Sequence, residues 1–167
     1  ISIPILAGSK YAHGELISKN ETLQAAGPWG NSGTDLNYTV TYNNGISKYA
    51  LRKIPYMAKV IDTQAEIGIP YGEFAVFTTD ITLLERAEAY ALLGQYDKAV
   101  ADINSELAVF SKHRVSLTLD QIKDFYNTLA YYTPSQPTPK KELHPLFTIE
   151  QTTQEPLLQC ILQLRRL

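Results

Sequence analysis

The chain has 167 residues, 44% of them hydrophobic and 19% charged, with a formal net charge of −2. That is enough chain for one domain with a real core, and the balance excludes disorder throughout. A slightly acidic chain with no dense Lys/Arg cluster has no electrostatic footprint for nucleic acid, and no run of 18 apolar residues spans a bilayer.

Ile1-Ser2-Ile3-Pro4-Ile5-Leu6 is too short for a signal peptide and lacks its basic flank. From Thr22 to Ser47 the only charged residue is Asp35, while Gly27, Gly30, Gly33 and Gly45 punctuate a run containing Asn31, Asn37, Asn43 and Asn44. This is loop chemistry. Within it, residues 37–42 alternate like a strand, Asn43-Asn44-Gly45 signals a tight turn, and residues 46–54 can return as the partner strand. After Pro55 the segment to Pro70 reads as a short helix or irregular structure, and Ile69-Pro70-Tyr71-Gly72 as a turn.

The helical half is expected to begin near Thr79. Residues 83–104 read as two alanine-rich helices joined at Gly94-Gln95-Tyr96-Asp97. Alanines 87, 89, 91, 99 and 101 let two backbones approach, and Tyr90, Leu93, Tyr96, Val100 and Ile103 fill the gaps between them. Gly94 suits the left-handed residue that closes the first helix, and Asp97 can receive the free amides that open the second. This is the pattern of one tetratricopeptide-like hairpin, in a family of repeats of about 34 residues. A single copy buries too little, so other helices must cover its open faces.

A third helix should follow Ser116 or Thr118 and run to about Tyr131, with Leu119, Ile122, Phe125, Tyr126 and Leu129 on one face. Residues 134–145 hold four of the nine prolines and the pair Lys140-Lys141, and read as an extended loop. Thr152 and Glu155 have capping-box spacing, and Pro156 suits the first turn of a last helix. Leu157, Leu158, Ile161, Leu162 and Leu164 would be its buried face, with Cys160 packed rather than reactive. The fold class is therefore mainly α: a tetratricopeptide-like hairpin with further packed helices, plus a loop-rich N-terminal part with a small β-hairpin. Residues 1–78 form the loop-rich part and 79–167 the helical part. The absence of an initiator methionine, and an end at Arg165-Arg166-Leu167 inside an amphipathic pattern, read as one compact unit cut from a larger protein.

Catalytic patterns are missing. His13, His113 and His144 are widely spaced, with no His-x-x-x-His to present two metal ligands on one face. No Gly-x-Ser-x-Gly occurs, the glycines at 27, 30 and 33 lack the Gly-Lys-Ser/Thr of a phosphate loop, and Glu85 and Glu88 lie on one helix turn without a cleft. Glu85 and Arg86 read as helix-to-helix contacts and the lysine pair as a solvated charge. No enzyme, no metal and no cofactor are expected.

Arg86-Ala87-Glu88-Ala89-Tyr90, the corner from Gly94 to Ala99, Asp102-Ile103-Asn104, Arg52-Lys53 and the terminal Gln163-Leu164-Arg165-Arg166-Leu167 together resemble the SusD/RagB family. These are lipid-anchored proteins of the Gram-negative outer membrane that capture glycans at the cell surface for a SusC-like, TonB-dependent transporter. The resemblance runs from about Leu51 to Leu167. It implies a helical tetratricopeptide-like scaffold beside an irregular ligand-binding part, a polysaccharide or oligosaccharide as ligand, and contact with the membrane only through a lipid anchor. The lipidated cysteine and the Arg-Trp-rich segment of such proteins fall outside these 167 residues.

Sugar binding needs flat aromatic faces for the pyranose ring and short polar groups for its hydroxyls. Trp29, Asn31, Tyr38 and Tyr42 in the uncharged loop region are the candidate ligand-binding residues. The other reading of Trp29 is a plug that fastens the loop to the helices. The alternative function is a tetratricopeptide-like scaffold for protein–protein interaction.

Overall fold

A computed structural model describes residues 13–14, 19–20, 24–36, 40–43, 48–51, 56–65, 67–72, 76–131 and 140–167. Among these residues the chain is mainly helical, with its longer helices all C-terminal to residue 78. The N-terminal part carries β1 (His13–Gly14), β2 (Ala26–Gly27), β3 (Gly30–Asn31), a one-turn α1 (Ser32–Asp35), β4 (Val40–Asn43), β5 (Lys48–Leu51), β6 (Tyr56–Asp62) and β7 (Ile67–Gly72). The helical part is α2 (Thr79–Leu92), α3 (Tyr96–Phe110), α4 (Leu119–Thr128) and α5 (Gln154–Arg166).

The expected hairpin forms between β4 and β5, antiparallel, with Tyr42 opposite Tyr49 and Asn43 opposite Lys48. β1 adds a third strand on the far side of β5. Residues 37–39 and 44–47, which include the Asn44-Gly45 turn signal, lie outside the described residues. The segment after Pro55 departs from the sequence reading: it is a second antiparallel hairpin, β6 with β7, and not a short helix. Asp62 makes its turn, since its Oδ1 accepts from the Gln64 and Ala65 amides at 2.8 and 3.1 Å. Pro70, read as part of a turn, sits inside β7 opposite Ala58. In a two-stranded ladder every second N–H points away from the partner, so an imino acid fits at such a position.

The α2–α3 corner is built as its residues require. Gly94 has φ +72°, and the Gln95 and Gly94 amides donate to the Tyr90 and Ala91 carbonyls at 2.8 and 3.1 Å, a Schellman closure. A Cβ on Gly94 would meet nothing within 4 Å, so a substitution there meets only backbone strain. Gly94→Ala should lower stability by about 1–2 kcal/mol and Gly94→Asn by clearly less, since Asn tolerates this region. Equal losses in chemical denaturation would contradict that account. Asp97 is not the cap: Gln95 flanks α3 without a side-chain cap bond, and Asp97 occupies the first turn, where the helix dipole favours a carboxylate.

Ala87, Ala91 and Ala99 are fully buried and make the close seam, whereas Ala89 and Ala101 face solvent and Leu93 is 70% exposed. The interhelical stripe is therefore narrower than the run of alanines suggested. Arg86 on α2 grips Asp102 on α3 through two charge-assisted bonds of 2.8 and 2.7 Å. Arg165 on α5 reaches Glu88 at 2.7 Å and Glu85 at 3.9 Å on α2. Asn104 pins the chain after α3 by exchanging two bonds with the Leu117 backbone, of 2.9 and 2.7 Å.

α5 packs on α2, α3 and α4 and supplies the faces that a lone hairpin leaves open. Leu157, Cys160, Ile161 and Leu164 are fully buried, and they meet Leu84, Ile103, Leu107, Ile122 and Tyr126 in one core. Burial pushes the Cys160 thiol up to about 12, which makes it a packing residue.

The capping box expected at Thr152 and Glu155 is not there. Glu150 does that work: its carboxylate accepts from the amides of Thr152, Thr153 and Gln154 at 2.7 to 3.0 Å, and from the Thr152 hydroxyl. These bonds, the Thr152 hydroxyl first, lower the Glu150 carboxyl to about 2. A depressed carboxyl stabilises the fold fully above its unfolded titration near 4.5 and loses that contribution as pH falls towards about 2. The acid limb of a stability-versus-pH curve should therefore flatten between these limits in Glu150→Gln, and an unchanged limb would remove Glu150 as its cause. A capping box does form at α4, where Thr118 Oγ1 accepts from the Gln121 amide and Gln121 Oε1 accepts from the Thr118 amide.

Candidate ligand-binding site

Trp29 fastens the loop-rich part to the helices. It is 4% exposed and belongs to the helical core cluster, and its Nε1 donates to Ser32 Oγ at 3.0 Å. The Ser32 hydroxyl donates in turn to the Ala25 carbonyl at 2.6 Å. Any side chain on Gly27 would collide with the indole ring, which explains the glycine beneath it. A sugar platform needs an open ring face, and Trp29 offers none. The stacking role is thereby corrected in favour of the plug.

Asn31 is exposed, but its Oδ1 accepts from the Gly33 and Thr34 amides at 2.9 and 3.2 Å and so caps α1. Asp35 closes the same turn by accepting from the Asn31 amide at 2.7 Å, while Gly30 takes φ +111°. The oxygen that would have met a sugar hydroxyl is thus engaged in holding the loop. Tyr42 is a β4 residue paired with Tyr49, and Tyr38 lies outside the described residues. Of these four residues, Trp29 and Asn31 both spend their polar atoms on the loop itself.

The same loop is held from the helical side. Lys112 donates its amide to the Asp35 carbonyl at 2.8 Å and its Nζ to the Thr34 carbonyl at 2.6 Å, and Leu36 bridges Ser111. Gln163 on α5 donates to the Ala26 carbonyl at 3.0 Å, and its Oε1 accepts from the Tyr126 hydroxyl at 2.7 Å.

Between this loop, α4 and α5 lies a cavity of about 220 Å³. Lys19, Lys141 and Arg166 bring positive charge to its lining, Gln159 and Gln163 bring amides, and Leu129, Leu143 and Leu162 give it an apolar wall. Among the described residues, no acidic side chain lines it. Gln159 is 6% exposed; its Nε2 donates to the Lys141 carbonyl at 2.9 Å and to Glu155 Oε1 at 3.1 Å. Its Oε1 is buried without a hydrogen-bond partner, an arrangement that costs about 1–3 kcal/mol. Lys140 and Lys141, read together as a solvated pair, diverge. Lys140 approaches buried Glu155 at 3.8 Å, while Lys141 lies 5.6 Å from the Tyr131 ring centre.

A second hollow, of about 330 Å³, lies on the other side of Leu143 and Leu162 and is more apolar, with Leu92, Phe147, Ile149 and Leu158 in its lining. Among the described residues, no cluster of His, Cys, Asp and Glu could hold a metal ion, and no helix is long and apolar enough to cross a membrane.

The sequence reading missed Gln159, Gln163 and Arg166. Their signal was present: spaced i, i+4, i+7, they form a polar stripe beside the apolar face of Leu157, Cys160, Ile161 and Leu164. Comparison with family models, with curated proteins and with solved structures finds no match to this chain.

Proposed function

We propose that this chain is a non-catalytic glycan-binding component of an outer-membrane, TonB-dependent polysaccharide uptake system, held at the cell surface and working with a SusC-like transporter. The observation that carries the reading is the pairing of a tetratricopeptide-like hairpin, closed by α5, with a loop-rich part fixed across α3 and α5. That is the organisation implied by the resemblance to the SusD/RagB family. Binding rather than turnover is the act: the partly polar cavity beside the loop offers hydrogen bonds and an apolar wall to a sugar, with no acid–base pair set across it among the described residues.

Affinity electrophoresis through gels holding neutral or acidic polysaccharides tests this directly. Retardation on one glycan and not on others supports capture, and unretarded migration on every glycan removes it. The second reading, a scaffold for a peptide or protein partner, is favoured by the apolar hollow near the end of α2 and by Phe147, 58% exposed beside it. Under that reading the same gels show no retardation and a partner is recovered by pull-down.

A further inference from the structure

The segment leading into α5 is tied at both ends and free between them. At its start the Lys141 amide donates to the Leu129 carbonyl at 2.6 Å, and the Leu143 amide donates to Glu155 Oε1 at 2.5 Å. At its finish the Glu150 amide donates to Gln154 Oε1 at 3.0 Å, while the Glu150 carboxylate caps α5. Among the described residues, no hydrogen bond holds 144–149. The chain bends at Leu146 and Phe147, and both stand in water: Leu146 is wholly exposed and Phe147 is 58% exposed. Beside them lies the apolar hollow of about 330 Å³, with Phe147 already in its lining. An apolar cavity of about 150 Å³ holds a benzene molecule, so this one has room for a phenyl ring. Glu88 in the lining is answered by Arg165 at 2.7 Å, which leaves an apolar group as the fitting occupant.

We infer that residues 143–149 are a lid over this hollow, seen here open, and that closure swings the Phe147 ring out of water and into it. Burial of the ring favours the closed state, and between the two ties no hydrogen bond has to break on the way. Pro145 fixes its own φ and keeps His144 extended, so the swing falls on residues 146–148. Leu143 and Ile149, packed against the core, are the anchors on either side. The inference goes beyond the capture reading and does not depend on it. It bears on the scaffold reading, because any apolar side chain entering the hollow has to displace Phe147 first. The chain thus carries its own competitor for the site, and the apparent affinity of the hollow falls with the fraction of molecules that are open.

Toluene is the probe, titrated into the chain and into Phe147→Ala while the methyl resonances of Leu92 and Leu158 report from the hollow. A lid and a wall predict opposite signs. If Phe147 is the plug, its removal frees the hollow, and toluene should bind Phe147→Ala about three-fold tighter or more. If Phe147 is only part of the wall, its removal takes away contact area and toluene binds more weakly. The melting curve checks that the variant is folded. The swing itself is read in the unsubstituted chain by labelling its phenylalanines with 4-fluorophenylalanine, the Phe147 fluorine being assigned by its loss in Phe147→Leu. That signal should exchange between two positions, and toluene should drive it to the exposed one. Weaker or equal binding by Phe147→Ala, a single fluorine signal that ignores toluene, or no toluene binding by either protein would each overturn the lid. None of these outcomes touches capture, which the polysaccharide gels decide separately.

Discussion

Trp29→Ala should be among the most destabilising single substitutions in the chain, by about 3–5 kcal/mol, with a melting temperature lower by roughly 10 °C. The indole is 4% exposed, sits in the same core cluster as Leu84, Ile103 and Ile161, and is fixed by its bond to Ser32. Truncation removes that apolar area, opens a cavity too large for its neighbours to fill, and leaves the Ser32 hydroxyl with one bond instead of two. Thermal melting and urea titration measure the loss. A sugar-stacking tryptophan behaves in the opposite way, giving lost binding at wild-type stability; that outcome would restore Trp29 to the ligand site.

Glu155→Ala should cost a similar amount, about 3 kcal/mol, through polar rather than apolar effects. Glu155 is 1% exposed on the first turn of α5. Its carboxylate accepts from the Leu143 amide at 2.5 Å and from Gln159 Nε2, and approaches Lys140 at 3.8 Å. Alanine leaves a buried backbone donor and a buried side-chain donor with fewer partners, and Lys140 without its counter-charge. Glu155→Gln keeps an acceptor for the Leu143 amide while removing the charge, so it should retain part of what alanine loses. Should Glu155→Ala melt as the parent does, this network contributes nothing to stability; should the two variants melt together below the parent, the charge and not the neutral acceptor carries the loss.

The helical half was legible because its determinants are local. Gly94 closing α2, the small-residue seam at Ala87, Ala91 and Ala99, and the apolar face of α5 all follow from residues within a few turns of one another. The misreadings have physical causes too. Glu150 and Thr152 compete for the same free amides at the start of α5, and spacing alone does not rank a carboxylate two residues outside the expected box above a hydroxyl within it. The β6–β7 hairpin was missed because Pro70 reads as a break, which holds for a central strand and not for a two-stranded ladder. Trp29 looked available because its own neighbourhood is glycine and asparagine; what buries it comes from helices more than fifty residues later. The cavity was least legible of all, since its wall joins residues 19, 141 and 166. Only the Gln159, Gln163, Arg166 stripe on α5 lay within one local pattern.

The bonds that hold the Trp29 loop have a consequence for the order in which the molecule is made. They join Thr34 to Lys112 across 78 positions and Ala26 to Gln163 across 137. Contacts within α2 and α3 span a few residues each and close quickly, whereas such distant closures come late. The last helix is therefore expected to form before the Trp29 loop has its full set of partners. Between those events the surface that receives Trp29 stands bare and apolar on an otherwise formed helical unit. Pulse-labelled hydrogen exchange should find the α2 and α3 amides protected before those of residues 32–36; simultaneous protection would mean that loop and helices form as one cooperative step.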